Sequence, residues 1–160
     1  MRVRNFFFGS APEGPLHAIR HAEARDMEAV ARLFRAVRLA CLPYLPDLHT
    51  PEEDTCFFRD RVFAECKVLL AEAETVDGFI AFRDGWIDHL YVRPQCQRGG
   101  IGKRLLTRAT ESGSRLRLWV FQRNTAAIAF YQSQGFRELE RTDGSSNEER
   151  EPDMLMEWRA

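Results

Sequence analysis

Between the extended run 86–92 and the helical run 103–106 of this 160-residue chain lies Gln97-Arg98-Gly99-Gly100-Ile101-Gly102, followed by Lys103. Glycines at a strand-to-helix junction let successive backbone N–H groups turn toward one point, and the helix dipole adds partial positive charge there. The chemistry such a loop serves is the holding of phosphate. Two phosphate loops are excluded by the residues. A dinucleotide fingerprint needs glycine where Leu105 stands, and a nucleoside-triphosphate loop needs Gly-Lys-Ser/Thr where the chain reads Gly102-Lys103-Arg104. What remains is Gln-x-x-Gly-x-Gly, read from Gln97. Just upstream, Asp88 and His89 are candidate proton acceptors. Strand neighbours point to opposite faces unless a bulge exchanges them, so one of the two is expected to face a reaction centre. An imidazole with a pKa of ~6.5 suits a base at neutral pH, whereas an aspartate needs a raised value or a water relay. Both could instead satisfy cross-strand partners.

A second block follows about twenty residues on: Leu116-Arg117-Leu118-Trp119-Val120, then Asn124-Thr125-Ala126-Ala127-Ile128-Ala129-Phe130-Tyr131, then Gly135-Phe136. The two blocks in this order resemble the GNAT superfamily of acyl-CoA-dependent N-acetyltransferases, over roughly Ile19 to Trp158. The resemblance implies an α/β (α+β) fold: a mixed, mostly antiparallel central sheet with a splayed parallel strand pair, flanked by about four helices. It implies a pyrophosphate held on Gln97, Arg98, Gly99, Gly100, Ile101, Gly102 and Lys103, mainly by backbone amides, and a pantetheine arm paired with Leu90, Tyr91 and Val92. Asn124 would help hold that arm while also serving as a helix N-cap. Tyr131 would partner the departing thiolate, with an aromatic core anchor as its competing role.

The implied reaction is direct attack of a primary amine, on a small molecule or peptide, on acetyl-CoA in a ternary complex. Full proton donation by a tyrosine with a pKa of ~10 to a thiolate of ~8.5 runs uphill by about 2 kcal/mol, so hydrogen bonding is its larger expected contribution. The first two helices and their connection form the acceptor side in this family, which makes Tyr44, His49, Glu52 and Glu53 candidate pocket residues. The alternative is a non-catalytic acyl-CoA-binding sensor or structural module, since fold resemblance does not guarantee chemistry.

The elements that must position these groups read as follows. Asp26 can cap a helix whose Met27, Val30, Leu33, Phe34 and Val37 share one face. Thr50-Pro51-Glu52-Glu53 combines an N-cap, a first-turn proline and a capping-box glutamate ahead of Phe57, Phe58, Val62 and Phe63. Pro43 and Pro46 keep 41–49 out of a helix, although its apolar residues need cover, so an ordered loop is expected. Runs 67–71 and 78–82 read as strands, and Asp84-Gly85 before Trp86 predicts a type I′ hairpin. After the glycine loop come a helix stopped by Gly113, a strand 116–120, a helix 125–134 with Gly135 at its C′ position, and two strands near 136–141 and 154–158. The polar run 145–150 reads as a mobile hairpin loop.

Lysine and arginine total 23 against 24 acids, a net charge of -1, so neither nucleic acid nor an anionic membrane is an expected partner. With 44% hydrophobic and 29% charged residues, 19–160 reads as one soluble domain, preceded by a poorly ordered extension over 1–18; a homodimer is compatible with it. Cys41, Cys56, Cys66 and Cys96 form no C-x-x-C pair and meet no histidines at zinc spacing, so no metal is expected. Phe6-Phe7-Phe8 is too short for a signal peptide, and with no long apolar run a cytoplasmic location is expected. Cys96 reads as a bystander, a loop cysteine with no evident base beside it.

Overall fold

The computed structural model describes residues 16–160. The expected extension over 1–18, with its Phe6-Phe7-Phe8 run, lies outside the described residues up to residue 15; Ala18 is already paired with Glu72. Seven strands form one sheet: β1 (Ala18–His21), β2 (Lys67–Glu72), β3 (Val76–Arg83), β4 (Trp86–Val92), β5 (Arg115–Phe121), β6 (Arg137–Arg141) and β7 (Asp153–Arg159), in the spatial order β1-β2-β3-β4-β5-β7-β6. Every neighbouring pair is antiparallel except β4 and β5.

Helices cover both faces of the sheet, which explains why β3 is buried from Val76 through Phe82 without alternation. On one face lie α1 (Met27–Cys41) and α2 (Pro51–Phe57), whose Val30 and Leu33, with Phe58 just beyond α2, pack on Leu70, Phe79 and Ala81. On the other lie α3 (Ile101–Thr110) and α4 (Thr125–Ser133), packed on Ile80, Phe82, Leu118 and Met156. α2 begins with the anticipated capping box, in which the Glu53 N–H donates to Thr50 Oγ1 at 3.2 Å and the Thr50 N–H to a Glu53 carboxylate oxygen at 2.7 Å. It then widens into a π-helical stretch, Phe58–Val62, and closes with the turn Phe63–Glu65.

Three local expectations change. Asp26 lies inside a 3-10 turn, Ala24–Asp26, that precedes α1; its carboxylate accepts the Glu23 N–H at 2.7 Å and grips Arg20. Of the two residues joining β3 to β4 only Gly85 has positive φ, at 74°, so the turn is not type I′, which needs both. The run 145–150 belongs to a connection laced with hydrogen bonds. The Asn147 amide donates to the Glu151 carbonyl at 2.7 Å and to Asp153 at 3.0 Å, and a Cβ at Gly144 would stand 2.4 Å from the Glu151 backbone.

β4 and β5 are in register only at Trp86 and Arg117, where the Arg117 N–H also donates to the Gly85 carbonyl at 2.9 Å. Beyond that point they splay. Among the described residues no helix is long and apolar enough to cross a membrane.

Candidate active site

The glycine loop leaves the end of β4 through the short 3-10 helix Pro94–Cys96 and runs into α3. Arg98 and Gly100 both take left-handed backbone, at φ 65° and 86°, and turn the chain about Gly99. Gly100 is the N-cap of α3 and no side chain caps it, so the first-turn N–H groups remain available to an anion. Gln97 acts within the loop itself, where its amide donates to the Val92 carbonyl at 2.9 Å and ties the loop to the strand. Arg98, Lys103 and Arg104 are exposed around the loop. A Cβ added to Gly102 would lie 3.5 Å from the Phe130 ring, so this glycine lets α3 and α4 approach.

Leu90, Tyr91 and Val92 pair with Ile80, Phe79 and Gly78 on one edge, while among the described residues the edge toward β5 has no strand partner because of the splay. An extended amide-bearing chain could occupy that edge. Asn124 caps α4 by accepting the Ala127 N–H at 3.2 Å. Tyr131 is 8% exposed, with the Phe130 and Phe136 rings 5.3 and 5.4 Å away. Burial and the nearby Tyr91 phenol push its pKa above the ordinary tyrosine range, so its hydroxyl keeps its proton at physiological pH.

The β4 register skips Asp88: Ile87 faces Phe82 and His89 faces Ala81. This bulge breaks the alternation, and both Asp88 and His89 line the same cavity. Their chemistry differs. Asp88 is ion-paired with Arg83 Nε at 2.8 Å and accepts the Cys66 thiol at 3.2 Å, and burial pushes that thiol up to about 12. His89 sits among Phe34, Phe57, Phe58, Phe79 and Tyr91, with ring centroids 5.2–6.5 Å away, and burial pushes its imidazole down to about 4.

The acetyltransferase (GNAT) domain family matches residues 60–138, which contain β2 to β5, the glycine loop and α4. Over these residues the chain carries a GNAT acetyltransferase domain. The peptidyl-lysine N-acetyltransferase YiaC of Escherichia coli is 34% identical over 82 residues, 51% of this chain and 55% of that protein, so the chain spans about half the length of this curated relative. Among solved structures, apo YjaB of Escherichia coli covers 89% of this chain and 97% of its own with a TM-score of 0.72 at 21% identity. YncA of Salmonella typhimurium, solved with acetyl-CoA, covers 89% and 93% with a TM-score of 0.70 at 19% identity. These likenesses are of fold.

The cavity of about 570 Å³ lies between the α1–α2 connection, the bulged part of β4, the splayed half of β5 and the β6–β7 connection. Its walls are aromatic, from Phe34, Phe57, Tyr91, Trp119 and Phe121, and its charge is acidic. Among the described residues, Asp47, Glu53, Asp54, Asp88, Glu148 and Glu149 face only two guanidinium groups, Arg35 and Arg38. Arg35 binds Asp47 and Asp54, at 2.5 and 2.8 Å; Arg38 binds Glu149 at 3.1 Å; His49 meets Glu148 at 2.7 Å. Of the four expected pocket residues, His49 and Glu53 line the cavity. Tyr44 and Glu52 do not line it. The Tyr44 ring instead lies 4.1 Å under the Arg123 guanidinium, and its buried hydroxyl has no hydrogen-bond partner among the described residues. Sequence reasoning missed Trp119, Glu148 and Glu149, because nothing in their spacing shows that the splay bares β5 and that the last connection folds over the cavity.

Proposed function

We propose that the protein transfers the acetyl group of acetyl-CoA directly to a primary amine that arrives as a cation on an apolar stem, of the lysine or diamine type. The observation that carries this reading is the splay of β4 from β5, which bares the β4 edge leading to the glycine loop, with the acid-lined aromatic cavity beside the same strand. Phosphate would rest on the amides of 98–103, the pantetheine amides would pair along Leu90 to Val92, and Tyr131 would hydrogen-bond the leaving sulfur. One ammonium proton first passes to an acceptor in the cavity. The freed amine nitrogen then forms the new C–N bond as the C–S bond breaks, the electron pair leaves on sulfur, and the second N–H proton passes through water to the thiolate, giving the amide and the CoA thiol.

A lysine-type amine with a pKa of ~10.4 is neutral in about one molecule per thousand at pH 7.5, a cost of roughly 4 kcal/mol. His89 is enclosed by aromatic rings, where burial keeps its imidazole neutral and away from a water relay. We assign proton acceptance to Asp88 through water, because its carboxylate is exposed, lines the cavity and stands at the bulge. The peptidyl-lysine specificity in the name of YiaC, together with the acid excess here, supports a lysine-type acceptor.

The engagement of Asp88 by Arg83 favours a second reading, a module that binds acyl-CoA without turnover. A thiol-release assay with acetyl-CoA against lysine peptides, polyamines, peptide N-termini and anionic amines separates the two. Release matched by acetylated lysine-type product in mass spectrometry supports transfer. Tight acetyl-CoA binding by calorimetry with no acetylated product supports the module, and preference for an anionic amine would overturn the acceptor class.

A further inference from the structure

Behind the glycine loop, His17, Asp77 and Cys96 converge from three separate elements: the residue ahead of β1, the second residue of β3, and the last residue of the 3-10 helix that leads into the loop. His17 Nε2 and Asp77 Oδ2 are 2.8 Å apart, and one ligand atom from each of the three residues lies within 4.8 Å of the others. The site is sheltered, with the His17 and Asp77 side chains 11% and 10% exposed. We propose that this imidazole, carboxylate and thiolate set binds a zinc ion.

The chemistry fits in three respects. Nitrogen, oxygen and sulfur donors together suit Zn²⁺, and three protein ligands leave a fourth position for water. Bonds of ~2.0–2.1 Å to nitrogen and oxygen and ~2.3 Å to sulfur, at tetrahedral angles, set ligand atoms roughly 3.3–3.6 Å apart. His17 and Asp77 need to part by well under an ångström to accept the ion. The second carboxylate oxygen is already held, by Arg93 Nε at 2.7 Å and Thr75 Oγ1 at 2.9 Å, which aims Oδ2 at the site as an outer shell does. Zinc would replace the thiol proton: the S–H bond breaks, a Zn–S bond forms, and one H⁺ leaves to buffer. The ion's two charges would balance the carboxylate and thiolate, leaving Arg93 beside a neutral centre. No motif in the sequence announces the site, because His17 and Asp77 are 60 residues apart and the set is completed only by folding.

The test is titration of the reduced full chain with zinc sulfate in competition with a chromogenic chelator. The expected result is one zinc per chain at micromolar affinity or better, with about one proton released per zinc at pH 7.5. His17→Gln and Cys96→Ser should each weaken binding by about 100-fold or more while melting as cooperatively as the parent. A combined Cys41→Ser, Cys56→Ser, Cys66→Ser variant should keep the site. In the unaltered chain, zinc should slow alkylation of Cys96 relative to Cys41, as read by peptide mass spectrometry. Failure to retain zinc against the chelator, parental affinity in His17→Gln and Cys96→Ser, or unchanged Cys96 alkylation would each overturn the proposal.

Discussion

Tyr131 is poised to donate a hydrogen bond and ill suited to give up its proton. For unperturbed groups the transfer to a thiolate is already uphill by about 2 kcal/mol, and the buried setting of this phenol widens the gap. Tyr131→Phe is therefore expected to lower kcat by about 10- to 100-fold while acetyl-CoA affinity by calorimetry changes less than about twofold. Loss of affinity with kcat intact would assign the hydroxyl to binding instead. Asp88→Asn should cost about 10²-fold in kcat, and His89→Gln much less, because His89 is enclosed by aromatic rings out of reach of a water relay. Comparable losses in both, with a shared inflection in the pH–rate profile, would return His89 to the proton path. The places of Tyr131 in the core and of Asn124 at the N-cap of α4 were legible from the sequence because a local motif carries them. The depression of His89 was not, since Phe34, Phe57, Phe58 and Phe79 reach it from different elements.

At the scale of elements, the junction of β4 with α3 depends on two glycines that act in different ways. Gly100 has open space around it but a backbone that side chains rarely adopt, at φ 86°. Gly100→Asp adds strain and a negative charge where phosphate would rest, so acetyl-CoA affinity should fall by about tenfold or more. Unchanged affinity in a folded variant would place the phosphates elsewhere. Gly78, on β3, is a subtler case: a Cβ there would stand 3.0 Å from Ile101 Cγ2 and 3.4 Å from Leu105 Cδ1. Gly78→Ala should therefore push the first turn of α3 outward, weaken acetyl-CoA binding measurably without touching it, and cost about 1–3 kcal/mol in denaturant unfolding. Capping residues made α2 readable, and short apolar runs made most strands readable. The turn at Gly85, the π-helical stretch after α2 and the knitted 142–152 connection depend on tertiary contacts that no local pattern encodes.

For the whole molecule, acid should act through groups whose native pKa values depart from the unfolded ones. His89 falls from ~6.5 to about 4 on folding, so below pH 6.5 the unfolded chain binds a proton the native chain does not. Stability should then drop as pH falls from 6.5 toward 4, by roughly 3 kcal/mol in all, and His89→Gln should flatten that limb of the curve. Asp26, held down to about 2 by the Arg20 guanidinium, adds stability that is complete above pH 4 and is lost below it, by roughly 2 kcal/mol. Denaturant melts across pH 3–8 check both. One architectural detail also bears on how the chain is made. β7 is the last strand in sequence, yet it lies between β5 and β6, and the Glu148 and Glu149 that reach His49 and Arg38 shortly precede it. As the chain emerges during synthesis, α1, α2 and the glycine loop can assemble while β6 still has no sheet neighbour and the cavity has no outer wall. The glycine-loop half of the molecule is thus completed before the cavity half, and on the proposed function a nascent chain arrested ahead of β7 would hold a donor while having nowhere to seat an amine.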